Sequence, residues 1–150
     1  MKKKCLANAE CPLARAYGAI GDWWSLLIVT RILLGGATRF SQIQECLGMA
    51  KNILTARLKQ LIENGILERV PASDGSSYHE YVPTARGKDL YRVVVALRQW
   101  GERHYYTGEE LPNELVDALK NQPIAPVEVR AADGRVLGPD DLRTVTKCSL

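Results

Sequence analysis

The chain has no apolar run approaching the roughly 18–20 residues of a membrane span. Its greasiest segment, WWSLLIVTRILLGG, is interrupted by Arg31. Three lysines, Lys2–Lys4, stand near the start, but polar and charged residues follow. The apolar stretch of about 7–15 residues that a secretory signal carries is missing. A cytoplasmic protein without membrane partners is the expectation. Histidine is scarce, and the four cysteines (Cys5, Cys11, Cys46 and Cys148) form no CxxC pair and have no His at ligand spacing. That argues against a structural zinc site. With no βαβ pattern either, it argues against a thiol-dependent redox enzyme, the reading that four cysteines would otherwise suggest. His79 and His104 have no nucleophile at motif spacing and read as surface or interface residues. There is no internal repeat and no low-complexity tract. No cofactor or metal is expected.

What is present suits one domain with a real core and an appendage: 150 residues, 46% hydrophobic and 25% charged. The net charge of +3 hides an asymmetry. Residues 1–105 carry 15 Lys and Arg against 9 Asp and Glu, a net of +6, whereas residues 106–150 carry 5 against 8, a net of −3. A basic body suits a polyanionic partner.

The punctuation of residues 11–105 predicts short helices. Cys11-Pro12 opens one that runs to about Ile20 and stops at Gly21. Asp22 caps a second, Trp23 to Leu34, closed by Gly35-Gly36. Trp23, Leu26, Leu27, Val29, Ile32, Leu33 and Leu34 make it apolar over most of its surface, which predicts a central position. Ser41-x-x-Gln44 reads as a capping box for a third helix, with Phe40 and Ile43 inward and Gly48 at its end.

Residues 48–64, GMAKNILTARLKQLIEN, are the most informative stretch. Ile53, Leu54, Leu58 and Leu61 are spaced for burial on a helical period. The opposite face carries Lys51, Asn52, Thr55, Ala56 and Lys59. A helix that reads DNA needs that mixture: cations for phosphates, amides and hydroxyls for base edges, small residues for close approach. Taken alone the stretch also fits an ordinary surface helix with a solvated face. Its neighbours decide the matter. Two short helices joined by a glycine turn form a helix-turn-helix. Leu67–Val70 and Tyr78–Val82 around Asp74-Gly75 form a hairpin at the place of a wing. Thr84 then caps a long helix to about His104, whose stripe of Leu90, Val93, Val94, Leu97 and Trp100 is a natural dimer seam. In residues 106–150, Pro112, Pro123, Pro126 and Pro139 break any long element. A short helix near 112–121 and a small hairpin of 127–129 with 135–137 are expected there. The parts are then a basic arm (1–10), a winged helix-turn-helix and dimerisation domain (11–105) and a C-terminal extension (106–150). The class is mainly α with a small β-hairpin.

Three segments, CPLARAYGAIGDWWSLLIVTRILLG, RFSQIQECLGMAKNILTARLKQLIENGILER and YHEYVPTARGKDLYRVVVALRQWGERH, carry a combined resemblance to the HxlR family of bacterial winged-helix transcriptional regulators. They cover residues 11–104 in the family's order and spacing. The resemblance implies a homodimer that binds a palindromic DNA operator, most simply as a repressor, with its first and last helices at the dimer interface. By position, Ser41–Leu47 would be the supporting helix, Lys51–Asn64 the recognition helix and Asp74-Gly75 the wing tip. The DNA contacts would come from Arg39, Ser41, Lys51, Asn52, Thr55, Ala56, Lys59, Arg69 and Ser76. Two departures stand out. Ala50 occupies the cap position of the recognition helix, where some relatives have Ser or Thr worth roughly 1 kcal/mol. The wing tip, Ala-Ser-Asp-Gly-Ser-Ser, has no cation, and this motivates a rival reading as a winged-helix interaction module that has lost DNA binding.

Some family members sense oxidants, quinones or aldehydes through a cysteine at the position of Cys11. Here Cys11 sits at a helix N-cap with Arg15 one turn on, which favours a thiolate; a half-buried structural thiol at a dimer interface is the alternative. Cys5 and Cys11 on one continuous helix would be roughly 9 Å apart along the axis, beyond the roughly 7 Å a disulfide spans. A bond involving Cys5 would need a flexible arm or a second subunit. A small-molecule or oxidant effector is thus the expected signal. Cys46, three residues after Ile43, is expected in the core. Trp23 and Trp24 either floor an effector pocket or pack the central helix.

Overall fold

The computed structural model describes residues 9–108 and 110–145. Lys2–Lys4, Cys5 and Cys148 lie outside the described residues, and the expectations for them with it. Two compact units follow one another, Met1–Val94 and Val95–Leu150. The elements run α1 (Pro12–Ile20), α2 (Trp23–Gly35), α3 (Phe40–Leu47), α4 (Lys51–Glu63), β1 (Leu67–Pro71), β2 (His79–Pro83), α5 (Ala85–Asp89) and α6 (Tyr91–Tyr105). This is the expected helix-turn-helix followed by a wing. Among the described residues no single helix is long and apolar enough to cross a membrane.

Local chemistry explains the helix ends. Pro12 occupies the first turn of α1, and the Gly21 N–H closes it on the Tyr17 carbonyl at 2.8 Å. The Asp22 carboxylate caps α2 by accepting from the Ser25 N–H at 3.0 Å. Ile28, Val29 and Ile32 of α2 are fully or almost fully buried and meet α3, α4 and β2. The helix is central on that side alone: Trp23, Leu27 and Leu34 face outward. Trp23 and Trp24 stack on one another with centroids 4.0 Å apart.

The cap of α3 differs from expectation. The helix begins at Phe40, which puts Ser41 inside its first turn. Gln42 does the capping instead, its side-chain oxygen accepting from the N–H groups of Arg39 at 3.0 Å and Thr38 at 3.1 Å. The Gln44 amide reaches forward to the Met49 carbonyl at 3.2 Å and so braces the turn into α4.

In α4, Leu54, Leu58 and Leu61 form the buried stripe. Ile53 does not join it and is 40% exposed. On a 100° step it lies about 80° outside the arc that Leu54, Leu58 and Leu61 define, whereas Ile62, about 40° outside the other edge, packs against the core. Asn64 ends the helix and donates to the Ala19 carbonyl at 2.7 Å, tying α4 to α1. The β1–β2 pair is antiparallel with Leu67 opposite Pro83, Arg69 opposite Tyr81 and Pro71 opposite His79. The Tyr81 N–H also bonds the Thr38 carbonyl at 2.8 Å, fastening the hairpin to the α2–α3 loop.

Thr84 caps as expected, accepting from the Gly87 N–H at 3.1 Å, but the long helix divides. The Leu90 N–H bonds Gly87 at i−3 (3.2 Å), so the turn tightens and separates α5 from α6. Gly87 is buried against the Ile66 carbonyl, where a Cβ would lie 2.0 Å from the oxygen.

In the second unit, Arg98 donates to the Asn113 side chain and carbonyl at 2.8 and 2.7 Å. Gln99 donates to the Ala125 carbonyl at 3.0 Å and accepts from the Val127 N–H at 2.6 Å. The helix expected near 112–121 is absent. A turn stands there, closed by a bridge between Val116 and Pro123. The Asp117 carboxylate accepts from the Leu119 N–H at 2.9 Å, a local bond that competes with helix formation. The small hairpin around Asp133-Gly134 is present, with a bridge between Arg130 and Val136.

Candidate nucleic-acid interface

The α4 surface opposite the core stripe is open. Lys51, Asn52, Thr55, Ala56 and Lys59 are all exposed and together line one shallow depression. The arrangement follows from the buried stripe: three leucines facing inward leave Asn52, Thr55, Ala56 and Lys59 facing outward, and Lys51 is open as the first residue of the helix. Their own bonds are weak and local. The Thr55 hydroxyl donates back to the Lys51 carbonyl at 2.8 Å, and Lys59 lies 3.8 Å from Glu63 at the surface. No side chain caps the helix start at Ala50. Its first N–H groups therefore stay available to an anion. Arg57 holds α4 from the inner side with an ion pair of 2.5 Å to Asp22, the capping residue of α2. Sequence reasoning missed this strut, since no local pattern links two residues 35 positions apart.

Beside α4, the start of α3 and the hairpin enclose a recess of about 560 Å³. Arg39, Ser41 and Arg69 line it, with Tyr78, His79 and Tyr81. Two of the expected phosphate contacts are engaged here. Arg39 pairs with Asp74 at the wing tip, lies 3.6 Å from Glu80 and sits 5.9 Å over the Tyr78 ring. The tip thus acquires from α3 the cation its own residues lack, but one already matched by carboxylates. Glu80, buried and held by the Ser73 hydroxyl at 3.1 Å, was not singled out from the sequence. The Asp74 carboxyl is held well below the ordinary carboxylate range, by Ser76 first and by the Arg39 guanidinium next. Asp74 raises the Arg39 guanidinium in turn. Ser76 sits half-buried in the tip, its N–H on Asp74 at 3.0 Å. Arg69 donates to the Nδ1 of His79 at 3.0 Å, since a guanidinium has no acceptor.

Cys11 is exposed at the N-cap of α1. The Arg15 Nε donates to the Ala9 carbonyl. Cys46 is also exposed, contrary to its expected place in the core. Phe40, Ile43 and Leu47 fill the inner face of α3, and Cys46 falls about 60° outside it on a 100° step. His104 is at the surface, 5.2 Å from the Trp100 ring.

Comparisons with known proteins agree with this geometry. A helix-turn-helix transcriptional regulator of Mycobacterium tuberculosis, itself uncharacterized, is 37% identical over 103 residues, 69% of this chain and 65% of that protein. The chain spans less than two thirds of the mycobacterial relatives it matches. The regulator YodB of Bacillus subtilis is 29% identical over 111 residues, 73% of this chain and 98% of YodB. Among solved structures, the candidate transcription factor PA1607 superposes with a TM-score of 0.87 at 43% identity, over 96% of this chain and all of that one. The oxidized form of the redox regulator HypR gives 0.55 at 27% identity, over 63% and 97%. The profile of HxlR-like helix-turn-helix proteins matches residues 19–109, more than half of the chain, and this protein belongs to that family.

Proposed function

We propose that this protein is a cytoplasmic, homodimeric repressor that lays α4 in the major groove of a DNA operator. The observation that carries the reading is the open α4 face, where Lys51, Asn52, Thr55, Ala56 and Lys59 stand clear above a buried leucine stripe. Asn52 and Thr55 would meet base edges, Ala56 would permit close approach, and Lys51 and Lys59 would meet phosphates. Ser41 and Arg69 would contact the backbone from the recess, and Ser76 from the wing. Arg39 reaches a phosphate only by exchanging Asp74 for it. Fluorescence anisotropy with the duplex flanking the protein's own gene tests the reading. Asn52→Ala lowers the preference for that duplex over scrambled DNA, whereas Lys59→Ala weakens both alike. Unchanged binding in both variants would mean that this face is not the DNA face. If the parent chain has no salt-sensitive affinity for any duplex, the rival interaction module, to which the already paired Arg39 at the wing tip lends support, takes its place.

The signal is proposed to be a thiol-reactive small molecule or oxidant acting at Cys11, with Cys5 as a second thiol from the arm or from the other subunit. The exposure of Cys11 at a helix N-cap supports this, as does the likeness to a redox regulator. Attack by the thiolate on a disulfide would break its S–S bond, give a mixed disulfide at the Cys11 sulfur and release the other sulfur as a thiolate, whereas conjugate addition to a quinone would form a C–S bond and take up a proton. A Cys11→Ser variant that releases DNA on diamide treatment as readily as the parent would rule Cys11 out.

A further inference from the structure

We propose that the C-terminal extension is an arm that docks on the α1–α2 surface of a second copy of this chain. The inference rests on the homodimer reading above and assigns a function to residues that the family profile does not cover.

The extension has form without a core. No described residue after Val94 is buried. Its backbone is nonetheless specific, held by Gln99 on residues 125 and 127 and by the bridges at Val116 and Arg130. An isolated two-stranded ribbon is marginal in water, and ordering each residue costs about 1–2 kcal/mol. Such a segment needs a surface to lie on. Its own contribution is apolar: Val127 and Val129 two positions apart on one side of the ribbon, then Val136, Leu142 and Val145, all about half exposed or more.

The body carries a matching apolar surface, exposed in a single copy and continuous with the first helix that the resemblance places at the dimer interface. α1 has no buried residue, and Leu13 and Tyr17 stand exposed one turn apart. On α2, Trp23, Leu27 and Leu34 form an exposed ridge with Arg31 among them. The charges of the two surfaces are opposite in sign, though small: Arg15 and Arg31 against Asp22 give residues 12–35 a net +1, and Glu128, Asp133, Asp140 and Asp141 against Arg130, Arg135 and Arg143 give residues 127–145 a net −1. The exposed parts of these apolar side chains, with Leu119, come to about 700 Å² at roughly 60–120 Å² per aliphatic and 150–250 Å² per aromatic side chain. A stable dimer takes roughly 800 Å² from each partner. A second copy is the occupant that satisfies both surfaces together, because each copy supplies one arm and one acceptor and a two-fold exchange closes.

The test uses the full chain. Sedimentation gives the dimer dissociation constant of the parent, Val129→Asp and Arg31→Glu. Val129 is 53% exposed in a single copy, so its substitution leaves the thermal melt at low concentration unchanged. Both variants are expected to dimerise at least about tenfold more weakly. Equal constants for parent and variants would overturn the arm, and a monomeric parent would overturn the homodimer and the arm with it. A photoreactive amino acid in place of Val129, in a mixture of ¹⁴N- and ¹⁵N-labelled chains, then identifies the acceptor. Mixed-isotope cross-links to residues 13–34 are expected. Single-isotope products alone, which mean an arm folded on its own body, or cross-links confined to residues 127–137, would overturn the proposal.

Discussion

Asp22 serves two elements at once. Its carboxylate caps α2 through the Ser25 N–H and pairs with Arg57 beneath α4 at 2.5 Å. Asp22→Ala removes both. A lost cap costs roughly 0.5–2 kcal/mol, and a pair whose side chains are about a quarter exposed adds up to roughly 1 kcal/mol. The urea midpoint should fall by the equivalent of about 0.5–3 kcal/mol with the slope unchanged. A loss below about 0.5 kcal/mol would show that the strut does not hold α4. Asp74 makes a prediction about pH. Its folded carboxyl is held below the ordinary range by Ser76 and Arg39. Its contribution is therefore fully present above about pH 4, the unfolded carboxylate value, and fades as pH falls toward the folded one. The stability difference between the parent and Asp74→Asn should be constant from about pH 5 to 8 and shrink below about pH 4. A difference that grows on acidification would reverse the sign of the argument.

Gly87 is the tightest joint between elements. A methyl group there would meet the Ile66 carbonyl at 2.0 Å, and backbone does not yield as a long side chain does. Gly87→Ala gains helix propensity, yet the clash should dominate and cost about 1–3 kcal/mol of stability or more. A melting temperature at or above that of the parent would show that α5 shifts freely over β1. The same joint marks the limit of what could be read in advance. The helix order, the wing and the outward face of α4 were legible because they rest on local signals: a Pro or Asp at a start, a Gly at an end, leucines on a 3.6 period. The split at Leu90 was not, because it depends on how closely Gly87 meets the carbonyl of Ile66, 21 residues earlier and just before β1. The helix expected near 112–121 failed for a related reason: prolines bound the segment, and within it Asp117 satisfies the backbone locally. At the candidate site, the exposure of Asn52, Thr55, Ala56 and Lys59 was legible from spacing alone. The latch of Arg39 on Asp74 and Glu80 joins residues 35 and 41 positions apart, and the pattern of either segment gives no sign of the other.

For the whole molecule the quantity that decides the proposed function is the number of phosphates neutralised in the proposed DNA complex. The basic charge lies in residues 1–105 and the acidic excess in the extension, so the field that attracts a duplex belongs to the body. Each phosphate contact releases condensed counterions and steepens the fall of log K with log salt by about 0.9. Lys59 is free to supply one such contact, since its surface pair with Glu63 at 3.8 Å is worth little. In a homodimer every substitution occurs twice. Lys59→Ala should therefore flatten the slope by about two, whereas a protein that binds as a monomer would lose about one. Asn52→Ala should leave the slope unaltered while narrowing the gap between operator and scrambled duplex, because an amide on a base edge displaces no counterion. A titration of both variants from about 50 to 200 mM salt separates these outcomes. A Lys59→Ala slope equal to that of the parent would remove Lys59 from the interface and, with it, the orientation of α4 on which the phosphate contacts were assigned.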